Sequence, residues 1–203
     1  LEGLTRYLAS GLIKGVGPST AKKLVEHFGL KTLDIIQFNP ERLTEVEGIG
    51  PAKAELIASS FAEQKEVREV MLFLQTYGIT TTYAIKIYKL YGANTISLIK
   101  ENPYRLASEV TGIGFKTADR IARNMGVDID SPYRVAAGTK YVLSQAVNDG
   151  HTYLPKEELV QKASALLGVT GELVENAIVS MAVNQQIHVE ETEDHTAVYL
   201  PPF

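Results

Sequence analysis

Cysteine and tryptophan are both absent from this 203-residue chain, and methionine occurs only three times. Without cysteine there can be no disulfide, no thiolate metal site and no Cys nucleophile, and the chain fits a reducing compartment. Runs of about 18 apolar residues are missing too, so no segment is long enough to cross a bilayer as a helix, and no membrane partner is expected. Nor is there a strong charge of either sign: 20 Lys and Arg stand against 24 Asp and Glu, net −4. What remains, 45% hydrophobic and 22% charged residues, is the profile of a globular protein with one large or two small domains. The first residue is Leu1 and the last are Pro201-Pro202-Phe203, which sets the expectation of a piece cut from something longer.

The charge is unevenly spread. Residues 1–132 hold 16 Lys and Arg against 15 Asp and Glu, whereas residues 133–203 hold 4 against 9. The change near Asp130-Ser131-Pro132 marks a candidate boundary and a difference in partners: a polyanion should meet the first part.

That first part is built on a repeat. Four segments superpose without gaps, beginning at Gly15, Gly48, Gly78 and Gly112. Their second position is Val16, Ile49, Ile79 or Ile113, their seventh Ala21, Ala54, Ala84 or Ala118, and their tenth Leu24, Ile57, Ile87 or Ile121. The fourteenth is Phe28, Phe61, Tyr91 or Met125. Three segments carry Gly-apolar-Gly in full; the third reads Gly78-Ile79-Thr80. A coarser period lies on top, since Gly29, Leu33, Ile36, Asn39-Pro40, Arg42 and Leu43 recur 63 residues later as Gly92, Ile96, Ile99, Asn102-Pro103, Arg105 and Leu106. The unit is a pair of segments used twice, over 1–68 and 69–131.

Each segment reads as helix, tight turn, helix. Two glycines around one apolar residue admit backbone conformations closed to residues with a Cβ, and the apolar residue plugs the turn into the core. Pro18 and Pro51 then fall at the first helical position, where a missing N–H costs nothing. Ala21, Leu24, Val25 and Phe28 form one buried face by spacing, the small Ala allowing close helix approach. Asn39-Pro40 and Asn102-Pro103 should start short helices ending at Leu43 and Leu106. Val67, Val70, Met71 and Leu74 predict a long helix joining the two double units.

This is the helix-hairpin-helix pattern, and its turn suits nucleic acid for a physical reason. Unpaired N–H groups at the start of the second helix, with the helix dipole behind them, can hold a phosphate oxygen without reading a base. Lysines reinforce two of the turns. The candidate nucleic-acid residues are Lys14, Gly15, Val16, Gly17, Ser19, Thr20, Lys22 and Lys23 at the first, and Gly112, Ile113, Gly114, Lys116, Thr117 and Arg120 at the fourth. Lys86 and Lys89 accompany the third; the second, with Lys53 against Glu47 and Glu55, is expected to be mostly scaffold. Paired hairpins also serve purely as packing or protein-docking elements, so a scaffold without DNA affinity stays open. The near-neutral charge predicts modest, salt-sensitive binding.

From residue 133 the pattern changes. A helix through Val135, Val142, Leu143 and Ala146 stops at Asp149-Gly150, followed by an extended Thr152-Tyr153-Leu154 and a helix entered at Pro155. A further helix runs from Gly171 through Val174, Ile178 and Met181, and Ile187–Glu190 and Ala197–Leu200 read as a β-hairpin around Glu193-Asp194-His195. Helix, strand, two helices and a hairpin is the winged-helix order. The expected fold is therefore mainly α: tandem double helix-hairpin-helix modules, then an acidic winged-helix-like domain over 132–203. Its third helix carries Glu172 and Glu175 and no cation, so packing against a neighbouring domain or protein is favoured over DNA contact.

Catalytic constellations are not found in the sequence. Gly114-Phe115-Lys116-Thr117 falls short of a nucleotide-binding P-loop, because Phe115 interrupts it and a hairpin turn precedes it. His27, His151, His188 and His195 lack metal-ligand spacing. The first turn looks like the hairpin of a DNA glycosylase with Asp34 downstream, but Asp34 sits within the apolar repeat, opposite Ser97 of the second copy, and reads as a helix-start residue.

The string Val110-Thr111-Gly112-Ile113-Gly114-Phe115-Lys116-Thr117-Ala118-Asp119-Arg120-Ile121-Ala122, preceded by Glu101-Asn102-Pro103-Tyr104-Arg105-Leu106, resembles the N-terminal region of the RecD-like ATP-dependent DNA helicases, the RecD/TraA family often labelled exodeoxyribonuclease V alpha subunit. Tyr77-Gly78-Ile79 and Gly150-His151-Thr152-Tyr153-Leu154-Pro155 fit it as well. The resemblance implies a superfamily 1, 5'-to-3' helicase of DNA repair and recombination in the bacterial cytoplasm, near the nucleoid. ATP and Mg would belong to a core expected after Tyr199-Leu200-Pro201-Pro202; the segment itself would hold no cofactor and be non-catalytic. The implied partners are single-stranded or forked DNA without sequence preference, the helicase core of the same chain, and other repair proteins.

Overall fold

The computed structural model describes residues 1–202. They gather into two compact units, Leu1–Leu74 and the residues from Gln75 onward.

In the first unit, α1 (Glu2–Ala9) and α2 (Pro18–Phe28) form the first hairpin, and α3 (Thr32–Phe38) leads through a 3-10 turn at Pro40–Glu45 to α4 (Pro51–Thr76). Pro18 and Pro51 do occupy the first positions of their helices. The apolar positions of the repeat make the core. Ala21, Leu24 and Ile57 are fully buried, Ala54 nearly so, and Val16 and Ile49 plug their turns at 5% exposure each. Complete burial of side chains the size of Leu24 and Ile57 stabilises the fold by about 2 kcal/mol each. Leu8, Ile13, Ile36 and Leu43 close the same cluster.

The second unit starts with the last two residues of α4, so the predicted long helix exists as one 26-residue element. α5 (Thr81–Tyr91), α6 (Thr95–Glu101), α7 (Arg105–Glu109) and α8 (Phe115–Asn124) complete the second double hairpin. Ile79, Ala84 and Ile87 are buried like their counterparts, so the third segment packs as a full repeat despite Thr80. The short helical stretches after Asn39 and Asn102 run on to Glu45 and Glu109, past the expected ends at Leu43 and Leu106.

One further periodic pair emerges in space. Thr32 and Thr95, 63 residues apart, are both fully buried, and their hydroxyls donate to the carbonyls of Gly29 at 2.6 Å and Gly92 at 2.7 Å.

The rest of the second unit follows the expected order of elements. α9 (Pro132–Asn148), β1 (Leu154–Pro155), α10 (Lys156–Leu167), α11 (Gly171–Val183), β2 (His188–Glu191) and β3 (Thr196–Tyr199) bring three strands into an antiparallel sheet ordered β1-β3-β2. Val198 faces both Leu154 and Val189 across the sheet. The outer hairpin is offset by one residue from the predicted strands, because the turn tightens between Thr192 and His195. Gly138 lets α9 meet α10 closely: a Cβ added there would lie 2.4 Å from Leu167. Among the described residues no single helix is long and apolar enough to cross a membrane.

Candidate nucleic-acid interface

The first glycine of each turn sets the bend. Gly15, Gly48, Gly78 and Gly112 have φ of +87°, +89°, +82° and +95°, a region that side chains rarely enter. The second glycine is different. Gly17 (φ −98°, ψ −177°) and Gly114 (φ −93°, ψ 177°) are extended backbone open to any residue, which corrects the expectation that both glycines are needed for conformation. Thr80 therefore takes that place in the third turn without strain. A Cβ built on Gly17, Gly50 or Gly114 meets nothing within 4 Å, so what these glycines keep clear is the space outside the turn.

That space is faced by bare amides. The first intrahelical bonds of α2 and α8 are Ala21 N–H to Gly17 C=O and Ala118 N–H to Gly114 C=O. Among the described residues, the N–H groups of Gly17, Ser19 and Thr20, and those of Gly114 through Thr117, have no intramolecular partner. Neither helix has a side-chain N-cap bond. Gly17, Ser19, Gly114 and Lys116 are exposed and Thr20 and Thr117 half-buried, while Val16 and Ile113 lie beneath as core plugs. Lys14, Lys22, Lys23, Lys116 and Arg120 are exposed and form no ion pair among the described residues. The candidates at each turn thus form one local surface, with Gly15, Val16, Gly112 and Ile113 shaping it from below.

Neighbouring hairpins hold these turns in place. At the first, the Lys14 amide donates to the Ser60 hydroxyl at 2.8 Å, and Gly15 rests against Ile57 and Leu56 of α4. The Lys53 ammonium reaches the Thr20 hydroxyl at 3.4 Å, adding a cation to the first turn that its place in the second segment had concealed. At the fourth, the Tyr83 hydroxyl donates to the Gly112 carbonyl at 3.2 Å. Lys53 and Tyr83 occupy the same position of their repeats, six residues into the segments starting at Gly48 and Gly78.

Phe115 anchors the fourth hairpin. It is 5% exposed and stacks between Tyr104 at 5.9 Å and Tyr141 of α9 at 5.4 Å. Arg134 of α9 is buried and grips Asp119 of α8 through Nε at 2.9 Å and Nη2 at 3.3 Å, its Nη1 donating to the carbonyls of Ile129 and Leu167. Asp119 also accepts from Tyr104 at 2.6 Å; burial first, and this bond second, push the Tyr104 phenol above the ordinary tyrosine range. None of these ties was legible as spacing.

Residues 114–117 do not fit a nucleotide phosphate loop. A short helix, α7, precedes them where a strand is required, and the buried Phe115 fills the place of a wrapping loop residue. No nucleotide chemistry is derived from them. Asp34 is exposed in the first turn of α3, where a carboxylate favours the helix dipole.

Two family models match consecutive stretches of the chain. Residues 6–63 match a SAM-like helix-hairpin-helix tandem, and residues 63–153 match the helix-hairpin-helix domain of the ATP-dependent RecD2 DNA helicase. Over 156 residues, 76% of the chain, it is 31% identical to the ATP-dependent RecD2 DNA helicase of Deinococcus radiodurans, of which the match covers 22%. Over 77 residues, 38% of the chain, it is 39% identical to a DNA ligase of Alkalilimnicola ehrlichii, of which the match covers 11%. The chain therefore spans about a fifth or less of the relatives it matches.

Proposed function

The chain carries the helix-hairpin-helix region of a RecD-like helicase, and on that premise we propose that it is an accessory DNA-binding region of an ATP-dependent 5'-to-3' DNA helicase. It holds the phosphate backbone without reading sequence, through the first and fourth turns. The observation that carries this is the set of uncapped amides of Gly17, Ser19 and Thr20 and of Gly114 to Thr117, each beside unpaired cations. Oriented N–H groups with positive dipole ends and free cations are the chemistry of an anion site. Each turn supplies one or two phosphate contacts, so binding is weak and non-specific, with a dissociation constant of about 1–100 μM at physiological salt. ATP hydrolysis and strand translocation belong, in this reading, to the motor, in bacterial repair and recombination.

Anisotropy titration of labelled single-stranded, duplex and forked DNA over a salt series tests it. Binding should weaken with salt, and Lys22→Glu or Lys116→Glu should weaken it further and lower the salt slope by about 1 each. Absence of binding at low salt would replace this reading with a protein-docking scaffold of the same helicase.

A further inference from the structure

Beyond the hairpin turns, the second unit holds a cleft of about 930 Å³, walled by α7, the bend at Gly114, α9 and one face of α11. Residues 133–203 carry nine acids against four bases, yet none of those nine acids lines the cleft; Lys140 does, and the one carboxylate on its walls is Asp130. α11 turns Asn176 and Ser180 toward it, with Asn184 just past its end, and leaves Glu172 and Glu175 outside. The two glutamates that weighed against DNA contact for this helix are therefore not on its cleft face.

Three features of the walls suit one occupant. Gly114, on the wall, has an unpaired amide. Lys140 is exposed and forms no ion pair among the described residues, whereas Arg105, also on the wall, is countered by Glu109 at 3.4 Å. Tyr133 is 52% exposed and has no ring or hydrogen-bond partner among the described residues, so an aromatic face stands free on the rim. One unpaired cation, a free aromatic ring and neutral amides make a surface for unpaired bases on a phosphate backbone.

We infer that this cleft takes a short stretch of single-stranded nucleic acid continuing from the phosphate at the fourth bend. Lys140 holds its backbone and a base stacks on Tyr133. The inference rests on the DNA reading of the fourth hairpin and adds to it a strand class and a path.

The test uses the full chain with labelled oligothymidine of about 15 nucleotides, a length within the site sizes of single-strand binders, and with a duplex of similar length. Tyr133→Ala and Lys140→Glu, both at exposed positions, should each weaken oligothymidine about tenfold and leave duplex binding nearly unchanged. Lys162→Glu, the same charge change outside the cleft, should alter neither. An oligonucleotide carrying 5-iodouracil should cross-link to Tyr133 under ultraviolet light. If Tyr133→Ala and Lys140→Glu bind oligothymidine like the parent while Lys116→Glu binds less, the cleft falls, a protein segment becomes its better occupant, and the hairpin reading survives. If Lys116→Glu is silent but the cleft variants weaken, the hairpin reading falls instead. No binding of any DNA at low salt would overturn both.

Discussion

The Tyr83 phenol lies directly over Gly112: it donates to that residue's carbonyl at 3.2 Å, and a methyl group at Gly112 would meet its oxygen at 2.7 Å. Two costs therefore combine when Gly112 becomes alanine, a left-handed backbone at φ +95° and a steric conflict. Gly78, in the same unit, has φ +82° but open space around it, so Gly78→Ala carries the backbone cost alone. Urea unfolding should show a loss of about 1 kcal/mol for Gly78→Ala and about 2–3 kcal/mol for Gly112→Ala. Tyr83→Phe in the Gly112→Ala background should recover part of the difference. Equal losses for the two glycine variants would mean that the Tyr83 contact costs nothing.

Serine at position 17 separates stability from binding. The backbone there is already extended, the usual conformation of an N-cap, and a serine hydroxyl would accept from the free amides of Ser19 or Thr20. Gly17→Ser should raise stability by a few tenths of a kcal/mol, a Tm increase of about 1–2 °C. The same hydroxyl occupies the phosphate position, so DNA affinity should fall. A higher Tm with unchanged affinity would show that DNA does not use these amides.

The repeat was readable because it is local. Val16, Ile49, Ile79 and Ile113 recur at one offset from a glycine, and their common burial follows from that offset. The Thr32–Thr95 pair had the same period and lies inside the compared stretches, directly before Leu33 and Ile96. The Lys53 to Thr20 contact spans 33 residues, Lys14 to Ser60 spans 46, and Arg134 meets Asp119 across a turn and a change of module. Such contacts depend on which helix lies beside which, and neither charge nor spacing encodes that. The cleft face of α11 was hidden for a related reason: Glu172 and Glu175 dominate the helix as a string but not the side that meets the cleft.

Arg134 is a buried polar tie in the second unit. Its side chain is 8% exposed and serves Asp119 and two carbonyls, so Arg134→Ala strands those two carbonyls and a carboxylate that is itself only 19% exposed. Removing one member of a buried pair costs about 3 kcal/mol. Arg134→Ala should therefore lower the unfolding midpoint of the second unit sharply. Asp119→Asn added to it should cost much less than it does alone, since the two groups act as one. Additive losses in that cycle would mean that the pair is not coupled.

Tyr104 predicts an alkaline limit to stability. Its phenol is held above the ordinary tyrosine value by burial first and by its bond to Asp119 second, while Arg134 and Arg123 pull weakly the other way. A group whose folded pKa is raised contributes stability that is fully present below its unfolded pKa, about 10 for tyrosine, and is lost as pH climbs past that value. Tyr91 behaves alike, raised by burial first and by its bond to Glu109 second. Stability to denaturant should therefore hold level up to about pH 9.5 and fall above about 10. Tyr104→Phe removes one of the two protons responsible, so its stability should decline less steeply over that window, with Tyr91 supplying what slope remains. The same decline in the variant as in the parent protein would mean that the Tyr104 phenol ionises as readily in the folded chain as in the unfolded one.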